Sequence, residues 1–244
     1  MIKQENIGFL LKRNSFNRFY ENVSIKNYQN NFLIFLDENQ LLSPKNNIIS
    51  YPSLDLIKLI ANEWDKQKET VNINNMLASK LFFTALDKVR PNLSKAIDDL
   101  SSFIDFDLLC YQVQSPCDLK KLQDKNFSPI ISWISTEYKV TPNINNGIIS
   151  HSNNRELKSN LRELLRSFDF IELTLLEFLI NLLGSIILGI AFLKGRLSDL
   201  EIISLIYLEE DWKTRLSGDK DYTSDAKKNI KFDMEVVQKI LNLK

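Results

Sequence analysis

From Arg18 to Tyr51 the apolar residues fall in short runs of β-branched and aromatic side chains, Val23-Ser24-Ile25, Phe32-Leu33-Ile34-Phe35-Leu36 and Ile48-Ile49, divided by polar links. Such residues fit the pleated, half-buried surface of a strand. The links Asn27 to Asn31 and Asp37-Glu38-Asn39 are of hairpin length, so the spacing predicts a small antiparallel meander. Three or four short strands are not stable alone, and this sheet needs a helix or another layer over one face.

Beyond Pro52 the period changes. Ser53 is a natural N-cap, and Leu54, Ile57, Leu59, Ile60, Ala61 and Trp64 recur at helical spacing behind it. The pattern breaks over Asn72 to Asn75, resumes as a helix from Leu77 to Val89 before Arg90-Pro91, and predicts a third helix from Asn92 to Phe103. Asp107-Leu108-Leu109-Cys110-Tyr111 is too short for periodicity to separate helix from buried strand. A helix then starts at Ser115 or Pro116 and continues to about Lys139, with Pro129 as a candidate break. Thr141 to Gly147 reads as a loop. Further helices are expected at about 153–167, 169–194, 198–214 and 224–242. Within the second of these, Gly184, Ser185, Gly189 and Ala191 make small faces. Each interior glycine costs about 1 kcal/mol against alanine unless a neighbour packs closely on it. Gly195 is placed to cap that helix and Ser198 to start the next. The expectation is an α+β fold, with a small antiparallel β-containing domain at 15–78 and a C-terminal α-helical bundle at 79–244.

The segment Leu208-Glu209-Glu210-Asp211-Trp212 stands out in this pattern. At the closing end of a 198–214 helix its carboxylates face the negative end of the helix dipole, where acids are disfavoured by roughly 0.3–1 kcal/mol. On a helical wheel Leu200, Ile203, Ile206 and Tyr207 form a stripe, and Glu210 falls on its continuation. The segment marks either the emergence of the helix into solvent or a docking site.

Composition narrows the choice. Hydrophobic residues make up 44% of the 244-residue chain, enough for a real core, and Lys plus Arg equals Asp plus Glu at 31 each. That balance argues against a surface built for nucleic acid. Cys110 and Cys117 are too few for a disulfide framework or a structural zinc site, and reduced thiols are expected. Ile7 to Leu11 is too short for a secretory signal, so no export is indicated. Phe170 to Leu193 is the most membrane-like stretch, but Glu172, Glu177 and Asn181 interrupt it, and it reads as a buried helix.

Candidate catalytic groups are sparse. His151, the one histidine, sits in a polar Ser-His-Ser-Asn-Asn stretch, and the apolar neighbours of Cys110 favour burial and an inert thiol. Phosphate-binding glycine loops, HExxH and GxSxG are absent. The acid runs Asp98-Asp99 and Glu209-Glu210-Asp211 cannot flank one substrate atom from adjacent helical positions. What remains on the enzymatic side is a hydrolase or transferase using His151 with Cys110 or an acidic residue.

One ordered set of landmarks spans most of the chain: Arg18-Phe19-Tyr20 with Val23, Leu36-Asp37 with Pro44, Ala61-Asn62-Glu63-Trp64-Asp65-Lys66-Gln67, Thr84-Ala85-Leu86-Asp87-Lys88-Val89, Asp107 to Tyr111, Gly184-Ser185, Gly195-Arg196-Leu197 and Leu208 to Trp212. In order and spacing it resembles the "ATP-twelve" family of assembly chaperones for the catalytic head of F-type ATP synthase. The resemblance implies a non-enzymatic, cofactor-free monomer that binds the unassembled alpha subunit until it pairs with beta, in the cytoplasm of a bacterium or the mitochondrial matrix of a eukaryote. A glutamate of the acidic motif matters in that family. Glu210 is its best counterpart, Glu209 the next, and Asp211 and Trp212 complete the expected client-binding set. Trp64, Asp87 and Gly184 are carried over as structural landmarks, with Trp64 open to a core or an interface role. Two positions depart from the family pattern: Lys213 replaces a Gln, and Ser217-Gly218 replaces a Trp-Gly.

Overall fold

The computed structural model describes residues 10, 11, 13–146, 155–218 and 223–244. Its contacts divide the chain into two compact units, one made of the residues up to Asn92 together with Val236–Lys244, the other of Leu93–Glu235.

In the first unit, β1 (Ser15–Asn17) precedes the hairpin of β2 (Val23–Tyr28) and β3 (Asn31–Leu36). The pairing Val23↔Leu36 to Tyr28↔Asn31 leaves Gln29 and Asn30 as a two-residue loop, both at positive φ. This is the primed turn that matches the twist of the flanking strands. β3 also pairs antiparallel with β4 (Asn39–Gln40) and β5 (Ser50–Tyr51). The expected strand at Ile48-Ile49 is displaced: Ile48 makes only an isolated bridge to Leu42, and the ladder forms two residues later.

Helix α1 (Leu54–Asp65) supplies the layer the sheet requires, packing Leu56, Ile57, Ile60, Ala61 and Trp64 inward against β2 and β3. The Ser53 hydroxyl accepts the Leu56 N–H and donates to the carbonyl of Leu243, so the cap also ties in the end of the chain. β6 (Thr70–Asn72) pairs with β1, a short ladder not foreseen from its composition. Then come α2 (Leu77–Thr84) and a wide turn over Ala85–Val89. The boundary between the units lies after Asn92, later than the 78/79 division drawn from the sequence. Tyr51 meets Phe82 edge to face, and the Asp87 carboxylate accepts hydrogen bonds from Ser43, Lys45 and Asn47, which holds this segment to the sheet.

The second unit is helical. α3 (Leu93–Ser102) leads through two tight turns, Phe103–Phe106 and Leu108–Cys110, to β7 (Tyr111–Gln112), which pairs in parallel with β8 (Asn145–Asn146). The short run at 107–111 is thus neither a full helix nor a full strand. α4 (Cys117–Tyr138) passes straight through Pro129, which lies on an exposed turn where water can take the carbonyl that proline leaves unbonded. α5 (Arg155–Arg166) packs on α3, with Arg162 paired to Asp98 and Lys158 to Asp105.

Where the sequence suggested one helix over 169–194, there are two: α6 (Phe170–Leu183) and α7 (Ile186–Leu193). Gly184, at φ +69°, ends the first in the left-handed conformation, and Ser185 caps the second through its hydroxyl. The expected close packing belongs to Gly189 instead, where a Cβ would come within 2.8 Å of Leu176 Cδ1. Every residue of α7 is buried. No helix among the described residues is long and apolar enough to cross a membrane. α8 (Asp199–Ile206), α9 (Leu208–Ser217) and α10 (Ser224–Leu243) complete the fold, with Ser198 and Glu201 forming a reciprocal cap at the start of α8.

Candidate functional site

The acidic segment does not close a helix; it opens one. The expected 198–214 helix breaks at Tyr207, and α9 carries Glu209, Glu210 and Asp211 in its first turn. Carboxylates there face the positive end of the helix dipole, where they stabilise by roughly 0.3–1 kcal/mol. The dipole anomaly of the sequence therefore disappears. So does the continuous stripe, since Leu200 is 62% exposed and Glu210 belongs to a different helix from Ile203.

Consecutive residues on α9 fan out by roughly 100°, and three of the four polar groups are held in place. Glu209 Oε1 accepts a 2.8 Å hydrogen bond from Nε2 of Gln123 on α4, and the other end of that buried amide accepts Val113 N–H at 2.8 Å. Asp211 pairs with Lys227 of α10 at 2.5 Å, and Lys227 also lies over the Tyr207 ring. Trp212 Nε1 donates to Asp118 Oδ2 at 2.9 Å. Glu210 is exposed, and no hydrogen bond or ion pair engages it among the described residues. The same turn that locks its neighbours against α4 and α10 leaves this carboxylate facing outward. Lys213 is likewise exposed, and Gly218, at φ +71°, ends the helix in the left-handed conformation.

Beside Glu210 lies an open cavity of about 310 Å³ floored by Leu108, Tyr111, Phe127, Leu205 and Ile206, with Glu209 and Glu210 on its rim. Phe106 stands at this cavity with 70% of its surface exposed. Gly184 also lines it, so the helix break at Gly184-Ser185 helps to shape the wall.

That break is held by Asp107. Its fully buried carboxylate accepts the N–H groups of Leu109 at 3.0 Å and Ile187 at 2.9 Å and the hydroxyl of Ser185 at 2.8 Å. One side chain thus caps both the turn Leu108–Cys110 and α7. Burial raises this carboxyl to about 6, and its hydrogen bonds offset only part of the effect. The sequence carried the signal, since Asp is a preferred cap just ahead of an apolar turn, but nothing in it pointed to Ser185.

Further landmarks lie in the first unit. Trp64 is fully buried in the first unit, and its carbonyl accepts the Tyr20 hydroxyl at 2.7 Å, which assigns it to the core. Its neighbour Glu63 accepts the N–H groups of Ala78 and Ser79 at 2.9 and 2.7 Å, capping α2 from outside that helix, and burial raises its carboxyl above the ordinary value. Arg18 stacks 4.4 Å from the Tyr20 ring centroid and donates to the carbonyls of Tyr20, Glu21, Asp65 and Gln67. The Arg18-Phe19-Tyr20 and Trp64 to Gln67 landmarks therefore meet each other.

On the enzymatic alternative, His151 lies outside the described residues. Cys110 is buried, and burial pushes its thiol well above the neutral range, with the nearby Asp107 charge adding to the shift, so it is not a ready nucleophile. Among the described residues no group of three or more His, Cys, Asp or Glu is arranged to hold a metal.

Comparison with known proteins places this arrangement in context. A family model described as ATP12 chaperone protein matches residues 17–135. Protein atp12, mitochondrial, of Schizosaccharomyces pombe is 28% identical over 222 residues, covering 85% of this chain and 76% of its own. The crystal structure of Atp12 from Paracoccus denitrificans is similar with a TM-score of 0.81 at 26% identity, over 93% of this chain and 97% of that one. A crystal structure from Agrobacterium tumefaciens matches with a TM-score of 0.83 at 28% identity, over 94% and 86%. In motif order, in fold and in these matches, the chain is similar to the ATP12 chaperones.

Proposed function

We propose that this chaperone binds the unassembled alpha subunit of the F-type ATP synthase catalytic head, acting as a monomer and without a cofactor, and prevents its aggregation until it pairs with beta. The observation that carries the reading is the position of Glu210, an exposed carboxylate at the edge of an apolar cavity that no hydrogen bond or ion pair engages among the described residues, while its neighbours Glu209, Asp211 and Trp212 are fastened down. A subunit awaiting its partners in an alternating ring exposes an apolar interface that aggregates unless covered. A protein that covers it must present apolar surface with charge at the rim over a typical ~1,600 Å², and needs no reaction chemistry. The site of action follows the client: the cytoplasm of a bacterium or the mitochondrial matrix of a eukaryote.

The test is direct. Purified alpha subunit, diluted alone, scatters light as it aggregates; equimolar chaperone at micromolar concentration is expected to suppress the scattering and to co-elute with alpha in size-exclusion chromatography, and added beta to displace it. Absence of both suppression and complex would reject the reading.

A further inference from the structure

We infer that the cavity beside Phe106 receives an apolar side chain of the bound protein, and that Glu210 receives a lysine or arginine adjacent to that side chain in the partner's sequence. The inference rests on the chaperone reading above and goes beyond it by naming the chemistry of the docked segment.

The cavity holds about 310 Å³, at the small end of the roughly 300–1,000 Å³ typical of ligand pockets. That space suits one or two side chains rather than a whole helix. Its floor is aliphatic and aromatic, and Phe127 and Leu205 within it are buried parts of the unit's own core, so the pocket is backed by rigid packing. Phe106 offers a large aromatic face to solvent at this cavity, the kind of group that dominates binding energy once a partner excludes water around it.

Charge selects the occupant. Asp211 is neutralised by Lys227, whereas Glu209 is held by the neutral amide of Gln123 and Glu210 is held by nothing among the described residues. Among those residues the lining contains no lysine or arginine. The positive end of α9 offsets roughly half a charge, which leaves the rim negative. An acidic segment would be repelled, a neutral apolar one would leave Glu210 desolvated without a partner, and a cation beside the anchor gives it a charge-assisted hydrogen bond.

Three fluorescein-labelled Gly/Ser peptides of equal length test this on the full chain by anisotropy, one carrying two leucines next to an arginine, one two leucines next to a glutamate, and one the arginine alone. The leucine–arginine peptide is expected to bind at least about tenfold more tightly than either control. Phe106→Ser and Glu210→Gln should each weaken it several-fold while moving the thermal midpoint by no more than about 4 °C. No binding of that peptide up to about 1 mM, equal binding of the glutamate peptide, or unchanged binding by both variants would overturn the inference. The same variants against purified alpha subunit separate the two ideas. If wild type and both variants hold alpha equally, the docking inference fails and the chaperone reading stands. If wild type selects the peptide through Phe106 and Glu210 but does not hold alpha, the reading of the client fails and the docking inference stands.

Discussion

The hydroxyl of Ser185 lies 2.9 and 2.8 Å from the two carboxylate oxygens of Asp107, 78 positions earlier in the chain, and the pair together receive the first free N–H groups of α7. Asp107→Ala strips the acceptor from Leu109 and Ile187 N–H groups inside the core. Each such orphaned donor costs about 1–3 kcal/mol, so a loss of about 3 kcal/mol or more is expected in urea unfolding. A loss below about 1 kcal/mol would mean that the break at Gly184-Ser185 is held by packing alone.

The same carboxyl gives a pH dependence of defined sign. Its folded value of about 6 lies above the ordinary value of 3.8, so between those limits the folded state binds the proton that the unfolded chain has released. Stability from this group is therefore greatest at acid pH, falls as pH rises from about 4 to about 6, and is flat above, with a total of about 3 kcal/mol at 1.36 kcal/mol per unit. Urea midpoints of wild type and Asp107→Asn from pH 4.5 to 7.5 check it: the wild type should lose stability relative to the variant as pH rises. A constant difference would show that Asp107 does not titrate in this range.

Gly184 and Gly189 respond to substitution for opposite reasons. A Cβ at Gly184 would meet nothing within 4 Å, but the residue sits at φ +69°, so alanine there costs the left-handed penalty of about 1–2 kcal/mol, and asparagine, which tolerates that conformation, less. Gly189 is helical and contacts Leu176 and Leu179, so valine there overpacks the core by about 1–3 kcal/mol and asparagine is no relief. Thermal melts of the four variants give the comparison, and a milder effect of asparagine at position 189 than at 184 would contradict this account.

The three acids of α9 should separate into two behaviours. Glu209→Lys and Asp211→Lys break contacts to Gln123 and Lys227 and set like charge or an unpaired amide in their place, and both should lower stability by about 1–3 kcal/mol. Glu210→Lys loses only its interaction with the helix dipole, at most about 1 kcal/mol, while weakening the complex with alpha. Melting and co-elution measured on all three decide the matter; equal destabilisation by the Glu210 substitution would make that residue structural.

Local signals accounted for the elements that the sequence made legible. The β2–β3 hairpin and α1 follow from β-branched runs, polar links and a serine cap, all within a few residues of the structure they determine. The β1–β6 pair was invisible because three residues carry no period and the partner lies more than fifty positions away. The breaks at Gly184-Ser185 and Tyr207 were hidden for another reason: apolar spacing runs across both, so periodicity alone joins the helices. Gly-Ser is nevertheless the sequence of a helix end followed by a helix start. At Tyr207 no glycine or proline marks the break, and the acids themselves were the clue, since carboxylates belong in a first turn. The acidic site was legible as an anomaly; the cavity next to it was not, because Phe106, Phe127 and Leu205 come from three separate segments.

The hydrogen bond from the Ser53 hydroxyl to the Leu243 carbonyl has a consequence for the order of events during synthesis. The first unit is assembled from residues up to Asn92 and from Val236–Lys244, so its second part is synthesised only after the whole of Leu93–Glu235. Val237 and Ile240 of that second stretch are both buried. The first unit therefore completes its packing only after the helical unit has been made, when the last turns of α10 are added. A disruptive substitution within Val236–Lys244 would therefore disturb the first unit rather than the helices beside it in sequence.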